Sequence, residues 1–258
     1  MALAERSTLT PTAILAVDVV LFTLRPGAFE RAWQVLLVEL PDPVPAPQPP
    51  LEILRYAQSD IGGRVLPGVL MNGDETFDGA ARRALAAKAG IDGQDLYLEQ
   101  LATFGSPTRD SRARVVSVAH IGLVRSDELT ATPVEVGAPW WCPVNAVPWD
   151  ELAYDHGTIL REAINRVKGK VRYAWLLFKL LPPVFTMSEL RAAYAAVRDP
   201  DVMRLSTSNV RKLFQGMIDH GMLVPVGERA PARGRGRPGE LFRFNGSVSG
   251  TWPRELPW

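Results

Sequence analysis

The fold is decided by the stretch Leu66-Pro-Gly-Val-Leu-Met-Asn-Gly-Asp-Glu-Thr-Phe-Asp-Gly-Ala-Ala-Arg-Arg-Ala-Leu-Ala-Ala-Lys-Ala-Gly-Ile91. Its first part is a loop, and its second part predicts a helix from Phe77 to Ala89. The helix is indicated by residues that recur at helical spacing, namely Ala80, Ala81, Ala84, Leu85 and Lys88. Gly90 is a typical helix terminator, so the stretch predicts one loop followed by one helix.

Apolar, β-branched segments on both sides of this stretch predict the strands of a sheet. Residues 13–24 and 32–39 are two such segments, and residues 114–124 form another. Residues 140–144 close the first half of the chain. Residues 41–50 hold six prolines in ten positions, which predicts a stiff, extended insertion rather than a helix or a central strand.

The amino-acid composition limits the classes of protein to which the chain can belong. Of the 258 residues, 47% are apolar and 22% charged, as in ordinary globular proteins. The single cysteine, Cys142, excludes a disulfide framework, and the apolar run 13–24 is too short to cross a bilayer. We therefore expect a soluble cytoplasmic protein with Cys142 in its core.

The charge is unevenly divided along the chain. Residues 1–158 hold 12 Lys+Arg against 20 Asp+Glu, a net charge of −8, whereas residues 159–258 hold 17 against 8, a net charge of +9. Such asymmetry is typical of a half that faces nucleic acid, although a solvated basic surface would give the same count.

The last 75 residues predict a helix, a second helix and a hairpin. Thr186-Met-Ser-Glu189 is a capping box that begins a helix through about Val197, and Ser206 caps the next one. That helix has one apolar stripe, made of Val210, Leu213, Phe214, Met217 and Ile218. Two strands, 223–226 and 240–244, flank an arginine–glycine loop. This order is that of a winged helix-turn-helix, and a helix at about 158–181, ended by Pro182, precedes it.

The stretch quoted first resembles a Nudix box, which reads glycine, five residues, Glu, seven residues, then Arg-Glu-apolar-x-Glu-Glu-x-Gly-apolar. The matching positions are Glu75, Arg83, Leu85, Gly90 and Ile91. Val69 stands in the glycine slot, directly after Gly68. The slots of the three helical glutamates hold Ala84, Ala87 and Lys88.

Loss of these glutamates removes the chemistry of the box. Positions i, i+3 and i+4 share one helix face, so three glutamates there would converge on a divalent cation. The cation would neutralise a pyrophosphate and lower the pKa of the attacking water. Two methyl groups and an ammonium cannot hold magnesium. We therefore expect no metal site, no catalytic residue and no enzymatic activity.

A narrower resemblance covers nearly the whole chain. Residues 97–110 and 114–119 are very similar to a segment of the Nudix-related transcriptional regulators of NAD metabolism (NrtR). Further matches follow in order at residues 154–156, 185–190, 209–213 and 236–244. The proline-rich insertion and Val69 depart from that family, and both lie near where it binds its ligand.

The resemblance implies an α+β fold with two domains. Residues 1–157 would be a Nudix-like α/β/α sandwich that senses an effector, and residues 158–258 a winged helix-turn-helix, with the linking helix at about 158–181. The family represses genes of NAD biosynthesis or salvage. Its sensor binds ADP-ribose or a related NAD-derived nucleotide. This binding weakens the affinity of the repressor for operator DNA. A homodimer on a palindromic operator is expected, with no cofactor.

Carried over position by position, the ligand-binding candidates are Arg64, Gly68, Glu75, Arg83, Phe104, Arg109 and Asp110. An arginine can bind phosphate through two nitrogens, and a phenylalanine can stack on adenine. Some of these residues also have a purely structural interpretation. Arg83 would pair with Glu75 to hold the loop, and Phe104 would belong to the core. His156 has no partners at metal-ligand spacing and is expected to be a satisfied, partly buried histidine.

In the basic half, residues 206–215 are the candidate recognition helix. Its DNA-binding candidates are Thr207, Ser208, Asn209, Arg211 and Lys212, of which the last three could reach base edges. The candidate wing adds Arg233, Arg235 and Arg237, which suit phosphates or a narrow minor groove. Two other functions stay open: an ADP-ribose pyrophosphatase with unusual metal ligands, and a DNA-binding protein whose sensor half is vestigial and serves only for dimerisation.

Overall fold

The computed structural model describes residues 13–26, 31–40, 63–91, 96–111, 113–129, 138–171, 175–198, 207–231 and 238–246. The strands are β1 Ile14–Pro26, β2 Arg31–Leu40, β3 Gly63–Val65, β4 Gly68–Leu70, β5 Tyr97–Phe104, β6 Val115–Leu123, β7 Ala138–Pro143, β8 Val184–Thr186, β9 Leu223–Arg229 and β10 Glu240–Phe244. The helices are α1 Phe77–Ala89, α2 His156–Lys170, α3 Met187–Arg198 and α4 Thr207–Asp219. The proline-rich insertion lies outside the described residues.

Seven strands form one mixed sheet in the first half of the chain. The order is β3-β2-β1-β6-β5, with β4 paired to β1 and β7 paired to β2. β1 runs antiparallel to β2 and parallel to β6. The three strands predicted from the sequence are confirmed as β1, β2 and β6. β5 was not predicted as a strand, because a bulge between Gln100 and Ala102 breaks its alternation of apolar and polar residues.

Two helices cover the two faces of this sheet. Alternate residues of β1 point to opposite faces, so Val17 and Val19 pack with α1, whereas Val20 and Phe22 pack with α2. α1 has the bounds that the sequence predicted, and Gly90 ends it in the left-handed conformation at φ 64°. The predicted α/β/α sandwich is therefore confirmed.

The predicted helix at about 158–181 is wrong in its extent. α2 begins at His156 and ends at Lys170, and a 3₁₀ turn follows at Trp175–Lys179. Gly169 and the β-branched Val171 are poor helix formers, so the helix ends well before Pro182. α2 is also more than a link, because it forms the second helical layer of the sandwich. A domain boundary at 157/158 stays a prediction.

The second half is a winged helix. β8, β10 and β9 form a sheet in that order, with α3 and α4 between β8 and β9. The capping box is confirmed: the Thr186 amide donates to Glu189 Oε2 at 2.9 Å, and the Glu189 amide donates to Thr186 Oγ1 at 3.2 Å. β8 was missed in the sequence because three residues are too few to show a pattern.

The two halves share one apolar core. A cluster of buried side chains extends from Phe22 and Val35 of the sheet, through α2, to Leu190 of α3 and Phe214 of α4. α3 also packs against β2. The winged helix is thus docked on the same sheet face as α2. Among the described residues, no helix is both long and apolar enough to span a membrane.

Candidate effector and DNA-binding sites

The loop before α1 is held in shape by one ion pair. Arg83 Nε donates to Glu75 Oε2 at 3.0 Å, and Arg83 Nη2 donates to the Leu70 carbonyl at 2.8 Å. The Asn72 amide donates to the other Glu75 oxygen at 2.6 Å. The hydrogen bond with Arg83 lowers the pKa of Glu75. The predicted pairing of these two residues is present, and it fixes the loop without a ligand.

The slots of the metal-binding glutamates lie along α1. Ala84 is fully buried against the sheet, Ala87 is exposed, and Lys88 is partly buried. Burial lowers the pKa of Lys88. Over the part of the chain that the structure describes, no group of three or more His, Cys, Asp or Glu side chains is placed to hold a metal ion. The residues present do not fit the divalent cation that a Nudix box would bind.

Arg64 lies on β3 at the surface of the sandwich. Its guanidinium stacks over Trp140 at 4.4 Å from the ring centre and forms an ion pair with Glu151. Glu39 Oε1 lies 3.7 Å from Arg64 Nη2. The Arg64 side chain is 23% exposed. Of the predicted phosphate-binding arginines on the sandwich, Arg64 and Arg83 are accessible.

Arg109 lies instead in a buried polar network, at the amino-terminal end of α2. Its Nε and Nη2 donate to the two carboxylate oxygens of Asp155 at 3.0 and 2.8 Å. Nη2 also donates to Asp18 Oδ2 at 3.1 Å, which in turn accepts from Ser117 Oγ at 2.6 Å. The Arg109 side chain is only 4% exposed. This geometry gives Arg109 a structural role, and direct contact with a ligand stays a prediction.

His156 completes the network. Its Nδ1 accepts from the Leu66 amide at 3.0 Å, and its Nε2 lies 3.5 Å from Asp18 Oδ1. The ring is 5% exposed and lies 5.3 Å from the ring of Tyr154. His156 is thus hydrogen-bonded, as expected, but it is fully buried rather than partly buried.

Asp18 is the centre of this network. Burial would raise its pKa, but His156, Ser117 and Arg109 outweigh burial and lower the pKa of Asp18 to about 2. Asp155 and Asp18 together raise the pKa of Arg109 in spite of its burial. The Asp18 carboxylate and the Arg109 guanidinium are thus charged throughout the ordinary pH range, and each charge depends on its neighbours.

Gly68 lies directly against Asp18. A Cβ atom at Gly68 would be 2.3 Å from Asp18 Oδ1 and 3.2 Å from the Val17 carbonyl. Only glycine permits this approach, which lets the start of β4 pack directly against Asp18. The departure at the next position has little consequence here, because Val69 packs in the apolar cluster on the α1 side.

The remaining ligand candidates lie at the end of β5 and just beyond. Phe104 is partly buried and packs against the main apolar cluster, and Asp110 is partly buried in the loop after β5. The predicted set is therefore distributed over three places: the α1 loop, the β3 surface, and the network with its adjoining loop. The ligand assignment stays a prediction.

Sequence reasoning missed Asp18 and Asp155 as members of a site. One signal was available: an aspartate inside an otherwise apolar strand must find a partner when that strand is buried. The partner itself was not visible, because Arg109 is 91 positions away along the chain.

The candidate recognition helix is α4. Phe214 is buried, Met217 and Ile218 pack against the core, and Lys212 is exposed on the other side. This agrees with the predicted apolar stripe. The following positions lie outside what the structure describes, either wholly or in their side chains: Ser206, Thr207, Ser208, Asn209, Val210, Arg211, Leu213, Arg233, Arg235 and Arg237.

Comparisons with known proteins find relatives of the winged helix and of nearly the whole chain. Residues 177–244 match the family of the NrtR DNA-binding winged helix domain. The chain is 27% identical over 236 residues to the ADPR responsive transcriptional repressor NtrR of Acinetobacter baylyi. The aligned region covers 91% of this chain and 83% of that protein.

Solved structures share the fold along nearly the whole chain. Shewanella oneidensis NrtR has a TM-score of 0.69 and 24% identity over 94% of this chain and 99% of its own. A MutT/nudix family protein from Enterococcus faecalis has a TM-score of 0.64 and 21% identity over 95% and 90%.

These features define the class of protein: a Nudix-like sandwich, with Ala84, Ala87 and Lys88 in the slots of the helical glutamates, joined to a winged helix. Residues 177–244 match the family of the NrtR DNA-binding winged helix domain, and the chain shares its fold with Shewanella oneidensis NrtR. This confirms the resemblance found in the sequence.

Proposed function

We propose that this protein is a DNA-binding transcriptional repressor of NAD biosynthesis or salvage genes, and that its Nudix-like domain senses ADP-ribose or a related NAD-derived nucleotide. One observation carries the proposal: an NrtR winged helix is joined to a Nudix-like sandwich that holds Ala84, Ala87 and Lys88 in place of metal ligands. The A. baylyi relative is named for its response to ADPR, and S. oneidensis NrtR has been crystallised with a 27mer DNA.

The winged helix domain would contact DNA through α4 and the wing. The exposed side of α4, which includes Lys212, would enter the major groove, and the arginines between β9 and β10 would follow phosphates or the minor groove. We place the protein in the cytoplasm, as a homodimer on a palindromic operator, because two-fold symmetry in a protein matches two half-sites in DNA.

The effector would bind on the sandwich. Arg64 and Arg83 are the partly exposed cations that could meet a phosphate, and Trp140 orients the guanidinium of Arg64. Phe104 and Asp110 would contact the nucleoside portion. Gly68, Glu75 and Arg83 would shape the loop, and Arg109 would support it from below rather than touch the ligand.

A gel-shift experiment tests the regulatory function. Duplex DNA from the protein's own upstream region should be bound with a dissociation constant on the order of 10⁻⁸ M or below, and ADP-ribose should change that affinity at least several-fold. A scrambled duplex of the same length and the nucleotide AMP are the controls. Equal affinity for both duplexes would contradict specific repression. An unchanged affinity with millimolar ADP-ribose would favour the vestigial sensor.

Absence of catalysis is a separate prediction. With magnesium or manganese, the purified protein should not split ADP-ribose above background, because two methyl groups and an ammonium cannot hold the cation. The measurement is release of AMP over hours, with a Nudix hydrolase of intact box as the positive control. Turnover on the order of one per second would show an enzyme and overturn the sensor-only proposal.

A further inference from the structure

We propose that His156 is a positioning residue that transmits the position of residues 66–68, which precede the candidate effector-binding segment before α1, to the winged helix domain. This inference rests on the proposed function and assigns the response to a particular side chain. His156 is suited to the task because it is the first residue of α2, and its two ring nitrogens join two other parts of the sandwich.

The first link is to the loop. The Leu66 amide, in the short connection between β3 and β4, donates to His156 Nδ1 at 3.0 Å. The Ala153 amide donates to the Arg64 carbonyl at 3.0 Å, so the segment before α2 lies along β3. Tyr154 has left-handed backbone at φ 57°, which a tyrosine adopts only when the surrounding structure holds it there.

The second link is to the buried charges. Because Nδ1 accepts a hydrogen bond, the ring proton of a neutral His156 is carried by Nε2, which faces Asp18 Oδ1 at 3.5 Å. Asp18 faces Gly68, the first residue of β4, and also accepts a hydrogen bond from Arg109. Any displacement of residues 66–68 must therefore move the Asp18 carboxylate, the His156 ring, or both.

The third link is α2 itself. One face of this helix is buried along its length, through Ile159, Ala163 and Val167, in the same core as Leu190 of α3 and Phe214 of α4. Packed helices shift as units because cores do not deform continuously. A small movement of the first turn of α2 would thus shift α3 and α4 of the winged helix domain.

The test is the ratio of DNA affinities without and with saturating ADP-ribose, measured by fluorescence anisotropy on the protein's own upstream duplex. His156→Asn keeps an acceptor at the Nδ1 position and loses the contact with Asp18. His156→Gln keeps a donor at the Nε2 position and loses the contact with Leu66. Each variant should bind ADP-ribose, and DNA alone, within about threefold of the parent. The parent should show a ratio of roughly tenfold, and both variants a ratio below about twofold.

Two controls separate transmission from stability. Ser117→Ala removes a hydrogen bond from Asp18 but leaves both links of His156, so it should keep the parent's ratio. Thr158→Ala changes an exposed residue in the same turn of α2 and should also keep the ratio. The proposal is overturned if either His156 variant retains the full ratio, or if both lose DNA binding without ADP-ribose, which would make His156 purely structural. If the parent itself shows no response, the proposed function fails and this inference fails with it.

Discussion

Replacing Arg109 by alanine should lower the free energy of unfolding by about 3–5 kcal/mol, because removal of one partner from a buried ion network leaves uncompensated charge. Asp18 and Asp155 would both lose their guanidinium, and the Asp18 side chain is only 8% exposed. Thermal unfolding followed by circular dichroism should show a fall in melting temperature of roughly 10 °C.

Arg125→Ala is the matched control for that experiment. Arg125 also pairs with two carboxylates, Asp127 at 3.1 Å and Glu128 at 2.9 Å, but these groups are exposed. Its loss should cost less than about 1 kcal/mol, as is usual for surface ion pairs. If Arg109→Ala has the same melting temperature as the parent, the ion network does not contribute to stability. Arg109 would then be available to contact a ligand. If it is destabilised as expected, any loss of ADP-ribose binding in this variant reports the fold rather than a direct contact.

Local sequence patterns were sufficient for β1, β2 and β6, for α1, and for the elements of the winged helix other than β8. The β1, β2 and β6 segments have long apolar runs, α1 has helical spacing with Gly90 at its end, and the winged helix has a capping box. Each of these signals lies within about a dozen residues. Where the pattern was broken by a bulge, as in β5, or was three residues long, as in β8, the sequence was not sufficient.

The candidate site was less predictable, for a physical reason. The pairing of Glu75 with Arg83 was predicted because both belong to one loop and helix. The network of Asp18, Arg109 and His156 joins β1, the loop after β5 and α2, so its members meet only when the sheet has formed. The arginine that resemblance assigned to the ligand therefore proved to be buried among carboxylates, which only tertiary structure could show.

Gly68→Ala should destabilise the protein by about 3 kcal/mol, the upper part of the range usual for overpacking. The added methyl group would lie 2.3 Å from Asp18 Oδ1 and 3.2 Å from the Val17 carbonyl. The backbone oxygen cannot move without breaking the β1–β4 pairing, in which Asp18 faces Gly68. The carboxylate must therefore rotate away from Arg109 and His156. Chemical denaturation gives the loss as a lower midpoint at unchanged slope.

Gly73→Ala is the control for this prediction, since Gly73 lies in the turn after β4 and a Cβ atom there would meet nothing within 4 Å. The free energy of unfolding should change by no more than about 0.5 kcal/mol. Both variants add one methyl group and reduce the freedom of the unfolded chain equally, so their difference isolates the contact at Asp18. Equal stabilities would mean that Asp18 can leave the network at little cost, and the loop would then be free to move without disturbing α2. A large difference would show that loop position and network geometry are fixed together, as transmission through His156 requires.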